Sequence, residues 1–127
     1  MNRILVVEDE NWVAMELAWL VQEAGYTVLG PERTVAEARK ALGKTKVDLA
    51  LLDVALRGET VFPLSRMLEG LGVPFIFVTG NPTLLPAEYS RRPLVPKPWQ
   101  APALRSLILQ VLGAQRSGAP TDRRLDG

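Results

Sequence analysis

Five short apolar runs decide what this chain can fold into. Ile4-Leu5-Val6-Val7 is a continuous run rich in β-branched residues, Leu49-Ala50-Leu51-Leu52 is another continuous run, and Tyr26 to Leu29, Pro74 to Val78 and Leu94-Val95 are the further strand candidates. Such runs suit strands buried on both faces, which is the condition of a parallel sheet. Between them lie stretches with helical spacing. Asn11 to Ala24 puts Val13, Leu17, Leu20, Val21 and Ala24 on one face and stops at Gly25. Thr34 caps a second helix to about Leu42, with Val35, Ala38, Ala41 and Leu42 inward and Gly43 closing it. Thr60 is expected to cap a third helix to about Leu71, with Pro63 in its first turn, where a missing N–H costs little. Gly30-Pro31 is expected to be the exit of the second strand. Residues 83–90, punctuated by Pro82 and Pro86, hold at most a short helix. Ala101 to Leu112 forms the last helix, with Leu104, Leu107, Ile108 and Val111 on one face. Strands alternating with helices imply a doubly wound α/β sheet with helices on both faces.

The chain has 127 residues, enough for one domain with its own core and short for two. Residues 1–113 are expected to form that domain, and residues 114–127, where Gly, Ser, Pro and charges dominate, a flexible C-terminal tail. Fifteen basic against fourteen acidic residues leave a net charge of +1, which offers no footprint for nucleic acid or a membrane surface. Cysteine is absent, which excludes a thiol nucleophile and a zinc–thiolate site, and histidine is absent, which excludes an imidazole base. No run has the length of a signal-peptide core or a membrane span, so a cytoplasmic protein is expected.

The polar residues fall at the ends of the strands. Glu8 and Asp9 follow the first strand, Asp53 the third and Thr79 the fourth, and Lys97 lies two residues past the fifth. In a doubly wound sheet all these ends open onto one crevice, where ligands bind. Three carboxylates there would repel one another, and Lys97 offsets one charge. The remainder suits a divalent cation such as Mg²⁺, which takes carboxylates, water and a phosphate oxygen. An Asp carboxylate can attack phosphorus, and such transfer needs mainly positioning and charge neutralisation. Taken singly each residue has a plainer reading: helix-start acids for Glu8 and Asp9, a capping acid for Asp53, a turn hydroxyl for Thr79 and a solvated lysine for Lys97.

Taken in order, Val6-Val7-Glu8-Asp9, Leu49 to Leu52 ending in Asp53, Thr79-Gly80 and Lys97-Pro98 resemble the receiver domains of two-component response regulators, over about residues 3–112. The resemblance implies a flavodoxin-like fold with strand order 2-1-3-4-5. It implies Asp53 as phosphoacceptor, and Glu8, Asp9, Asp53 and the Ala55 main-chain carbonyl around Mg²⁺. Thr79 and Lys97 would contact the phosphoryl group. Val73 to Gly80, with Arg57-Gly58-Glu59, is similar to the single-domain FATGUY group; Phe77, Thr79 and Gly80 fit its motif, whereas Val78 replaces Ala and Asn81-Pro82 stands near where an aromatic is expected. Receivers usually carry Tyr or Phe three residues before the lysine; here that switch position is Leu94, and the expectation is that signalling runs through residues 80–93. The implied partners are a histidine kinase or a histidine phosphotransfer protein, and a downstream protein target.

Trp12, Met15 and Trp19 share the face of the first helix opposite its apolar stripe, a candidate partner interface. The alternative is that one Trp folds over the sheet edge. Leu109 and Leu112 lie off the core face of the last helix, so a homodimer is a further possibility. The expected function is therefore a stand-alone receiver that turns over no separate substrate. An Asp-nucleophile phosphatase is the alternative, although Ala55 stands where such enzymes place a second acid, and a degenerate receiver that only binds proteins is the third reading.

Overall fold

The computed structural model describes residues 2–117. The chain runs β1 (Arg3–Val7), α1 (Asn11–Glu23), β2 (Thr27–Glu32), α2 (Val35–Lys44), β3 (Leu49–Leu52), β4 (Ala55–Leu56), β5 (Glu59–Thr60), α3 (Phe62–Leu71), β6 (Phe75–Thr79), β7 (Leu94–Pro96) and α4 (Ala101–Ser117). Five strands form one sheet in the order β2-β1-β3-β6-β7, every pair parallel. Counting only the strands of this sheet, that is the expected order 2-1-3-4-5.

Alternate residues of each central strand serve opposite faces. Leu5, Val7, Ala50, Leu52, Phe75 and Phe77 pack with Ala38 of α2 and Leu64 and Leu68 of α3. Ile4, Val6, Leu49, Leu51, Ile76 and Val78 pack with Leu17 of α1 and Leu104 and Ile108 of α4. With helices covering both faces, both sets are buried, which is why the strands read as unbroken apolar runs.

Several boundaries differ from the sequence reading, each for a local reason. Gly30-Pro31 is not the exit of β2, which continues to Glu32. The pairing with β1 shifts register between Leu5 and Val7 and resumes at Val7–Glu32. Gly30 makes the shift possible: its φ is +93°, and a Cβ there would lie 2.6 Å from the Glu32 nitrogen and 3.0 Å from the Val6 oxygen. Thr34 does cap α2, its hydroxyl accepting from the Glu37 N–H at 3.0 Å, but Gly43 does not close the helix. The helix ends one residue later, and the Thr45 N–H bonds the Ala41 carbonyl. Thr60 does not cap α3. It pairs with Ala55 in an antiparallel hairpin, and Val61 takes the cap position. The last helix runs through Gly113 to Ser117, past the expected boundary; residues 118–127, where the rest of the expected tail falls, lie outside the described residues.

Between β6 and β7 the chain forms two single 3₁₀ turns, Pro82–Leu84 and Ala87–Tyr89, in place of a full helix, as the prolines require. The segment is held down by Tyr89, which is fully buried against Phe62, Phe75 and Phe77 at ring separations of 5.4–6.1 Å.

Candidate functional site

The order of the sheet determines where the polar residues meet. β1 is flanked by β2 and β3, so the strand order reverses there and the carboxyl ends of β1 and β3 open side by side. Backbone bonds hold the chain at both exits. The Glu8 N–H donates to the Glu32 carbonyl at 2.9 Å, across the resumed β1–β2 pairing, and the Asp53 N–H donates to the Val7 carbonyl at 3.0 Å. The bulge at Gly30 therefore helps to set where Glu8 begins. On the far side, the Lys97 N–H donates to the Thr79 carbonyl at 2.9 Å and carries the lysine onto the same rim.

Glu8, Asp9 and Asp53 converge: one carboxylate oxygen from each lies within 4.8 Å of the others. Glu8 is fully buried and Asp53 nearly so, whereas Asp9 is half-buried. The Lys97 Nζ donates to Glu8 Oε1 at 2.6 Å and pairs with Asp53 Oδ2 at 3.5 Å. The other Glu8 oxygen accepts from the Glu10 N–H at 3.2 Å. Burial pushes the Glu8 carboxyl up to about 7, and the hydrogen bond and charge of Asp53 push the same way; Lys97 and the Glu10 N–H only partly restrain it. Burial works against the Lys97 charge as well, but the facing carboxylates of Glu8 and Asp53 outweigh it and hold the ammonium above its usual value. The donor set fits a hard divalent cation: three clustered carboxylates, one of them buried with less cationic compensation than its charge requires.

Thr79 closes β6 and is buried, and its Oγ1 accepts from the Asn81 N–H at 3.0 Å. Accepting that bond leaves the hydroxyl proton free to donate elsewhere. Gly80 lies beside Lys97, and a Cβ on it would sit at ordinary contact distance, 3.8 Å, from the lysine Cβ.

Ala55 lies in the β4–β5 hairpin that follows the Asp53 loop. The hairpin pairs Val54 with Val61 through the Val61 N–H and Val54 carbonyl at 3.0 Å, and then Ala55 with Thr60. Antiparallel ladders alternate bonded and non-bonded pairs, so Ala55–Thr60 is a non-bonded pair and the Ala55 carbonyl points away from its partner strand. Gly58, at φ +77°, turns the chain at the tip. In the sequence Thr60 reads as a helix cap, and nothing there pairs it with Ala55. The signal available was Gly58 between the short runs Ala55-Leu56 and Glu59-Thr60.

Leu94, in place of a switch aromatic, is buried beside Phe77 in the sheet. Trp12, Met15 and Trp19 form one exposed stripe on α1, at 71%, 64% and 64% exposure, and neither indole folds over the sheet edge. A groove of about 400 Å³ lies between this stripe and the start of α4, lined also by Trp99 and Arg105. Trp99 was missed because it follows Lys97-Pro98 and carries no helical periodicity of its own. Leu109 on α4 is exposed, whereas Leu112 is buried in the core rather than off it. No helix among the described residues is long and apolar enough to cross a membrane.

No family model matches the chain. It is similar to the phyllosphere-induced regulator PhyR of Methylorubrum extorquens, with 34% identity over 121 residues, covering 91% of this chain and 45% of that protein. The solution structure of the PhyR response regulator REC domain of Erythrobacter litoralis superposes with a TM-score of 0.80 at 34% identity, covering 94% of this chain and 95% of that one. SdrG of Sphingomonas melonis superposes with a TM-score of 0.76 at 31% identity, covering 91% and 97%. The chain spans about half the length of the curated relatives PhyR, PdtaR and RegX3.

Proposed function

The chain belongs to the receiver-domain family of response regulators, and on that premise we propose that Asp53 accepts a phosphoryl group from a phosphohistidine partner in a Mg²⁺-dependent reaction. The observation that carries this reading is the meeting of Glu8, Asp9 and Asp53 with the Lys97 ammonium at one rim. An Asp53 carboxylate oxygen forms the new P–O bond. The P–N bond to the donor imidazole breaks, and the leaving nitrogen keeps its electron pair and takes a proton. When bound, Mg²⁺ would be held by Glu8, Asp9, Asp53 and the Ala55 carbonyl, and it would neutralise charge on the phosphoryl oxygens. Lys97 supplies the second positive charge, and the Thr79 hydroxyl donates a hydrogen bond to the transferred group.

Phosphorylation replaces the single negative charge of the Asp53 carboxylate with nearly two on the phosphoryl oxygens, and draws Lys97 and Thr79 toward Asp53. Leu94 has no aromatic ring to follow that movement. We place the response instead in residues 80–93, which directly follow Thr79 and are fastened to α3 by side-chain bonds. The Arg92 guanidinium pairs with Glu69 at 2.5 Å and lies 5.0 Å over the Phe75 ring, and the Tyr89 hydroxyl reaches Glu69 at 3.3 Å. The exposed Trp12–Met15–Trp19 stripe with its Trp99 groove is assigned to docking of the helical phosphotransfer partner, and the phosphorylated form signals by docking to a downstream protein.

The test is incubation with acetyl phosphate and Mg²⁺ followed by intact mass. The expected result is a gain of one phosphoryl group, lost in Asp53→Asn. Sustained hydrolysis of phosphate esters would instead favour the phosphatase reading, and no modification at all would favour a module that only binds proteins.

A further inference from the structure

The hairpin after Asp53 is small and yet carries a residue of the site. Its strands are two residues each, and such a hairpin is not stable by itself. Leu56 anchors its inner side in the core, but Ala55 and residues 57–60 are exposed. One further bond reaches out from it. Glu59 Oε2 accepts from the Val35 N–H at 3.0 Å, joining segments 24 residues apart.

Val35 is the first residue of α2, and its N–H is one of the donors that a helix cannot satisfy internally. A carboxylate there gains both a charge-assisted hydrogen bond and the positive end of the helix dipole. The helix does not depend on Glu59 for its start. Thr34 already takes the Glu37 N–H, and Glu37 reaches back to the Arg33 N–H at 3.0 Å. The part that gains order from the Glu59 bond is the hairpin.

We propose that Glu59 is a positioning residue for the acid site: by binding the open end of α2, it holds the β4–β5 hairpin, and with it the Ala55 carbonyl, in place beside Asp53. The proposal rests on the reading of this site as a magnesium-dependent phosphoryl acceptor. Glu59 itself touches neither metal nor phosphoryl group, and it acts through the backbone of residues 54–60.

The test compares Glu59→Ala and Glu59→Gln with Thr34→Ala, which loosens the same helix end without touching the hairpin. Amide exchange is followed in the metal-free protein, magnesium binding by calorimetry, and modification by acetyl phosphate as a function of magnesium concentration. Glu59→Ala is expected to speed exchange across residues 54–60 and to weaken magnesium binding about tenfold, as loss of an outer-shell partner does. The modification rate should recover at saturating magnesium. Glu59→Gln keeps an acceptor oxygen and should fall between. Thr34→Ala should speed exchange in the first turn of α2 and leave magnesium affinity unchanged. Unchanged exchange at 54–60 in Glu59→Ala, or equal weakening of magnesium binding by Thr34→Ala, overturns the proposal. If the wild-type protein takes neither magnesium nor phosphoryl, the functional reading fails, and the exchange comparison still decides whether Glu59 holds the hairpin.

Discussion

Replacing Lys97 by Met removes the cation that faces two buried carboxylates, and its cost should depend steeply on pH. Removing one partner of a buried ion pair ordinarily costs about 3–5 kcal/mol, because a bare charge is left behind. Glu8 has another course open to it. Its carboxyl already sits at about 7 against an ordinary 4.5, so the folded state holds the Glu8 proton more tightly than the unfolded state does. Stability therefore falls as pH rises from 4.5 to about 7, and above that range the ionised Glu8 costs about 3 kcal/mol in the metal-free protein.

Without Lys97 the carboxyl rises further and stays protonated. At about pH 6 Glu8 is protonated in both proteins, and the added cost from this group is near zero. At about pH 8.5 the wild type has levelled off while the variant has not, and the difference grows to as much as about 2 kcal/mol. The loss of the lysine stem adds an offset that does not vary with pH. Urea unfolding in a chelator, at about pH 6, 7.5 and 8.5, reads the two parts separately. A cost that stays flat across this range, or that is larger at the acid end, would show that Lys97 does not govern Glu8.

Magnesium binding should displace the same proton. The apparent affinity is expected to rise up to about tenfold per pH unit below pH 7 and to level off above it, and a flat calorimetric profile from about pH 5.5 to 8 would contradict the assignment of Glu8. Gly30→Ala forces a side chain into a φ of +93° against the Glu32 nitrogen, so it should cost about 1–3 kcal/mol in urea unfolding; a cost below about 0.5 kcal/mol would mean the bulge is not strained by a Cβ. Trp19→Ala removes an exposed indole and should slow phosphoryl transfer from a phosphohistidine protein while sparing transfer from acetyl phosphate; equal loss in both assays would point to misfolding.

The central strands were legible because β1, β3 and β6 are buried on both faces, and an unbroken run such as Leu49 to Leu52 has few other readings at that length; the strand order came with the receiver resemblance. The polar residues of the rim were legible for a related reason. A doubly wound sheet gathers residues that end distant strands, so Asp9, Asp53 and Lys97 could be brought together without knowing a single distance. The residues that hold those side chains in place were not legible. Gly30 reads as a strand exit, and only the backbone shows that it carries β2 past a register shift to Glu32, whose carbonyl then holds Glu8. Thr60 reads as a helix cap by its type, and only the pairing with Ala55 shows that it belongs to a hairpin. Trp99 reads as an isolated aromatic until α4 and α1 are set side by side. In each case the local preference is real but weak, and a contact far away in sequence outweighs it. Chemistry at the ends of strands is thus written in the order of the residues, whereas the support behind it depends on tertiary contacts. Glu59 shows the difference most clearly: an exposed acid four residues past Ala55 has no role until α2 is found to begin 3.0 Å from it.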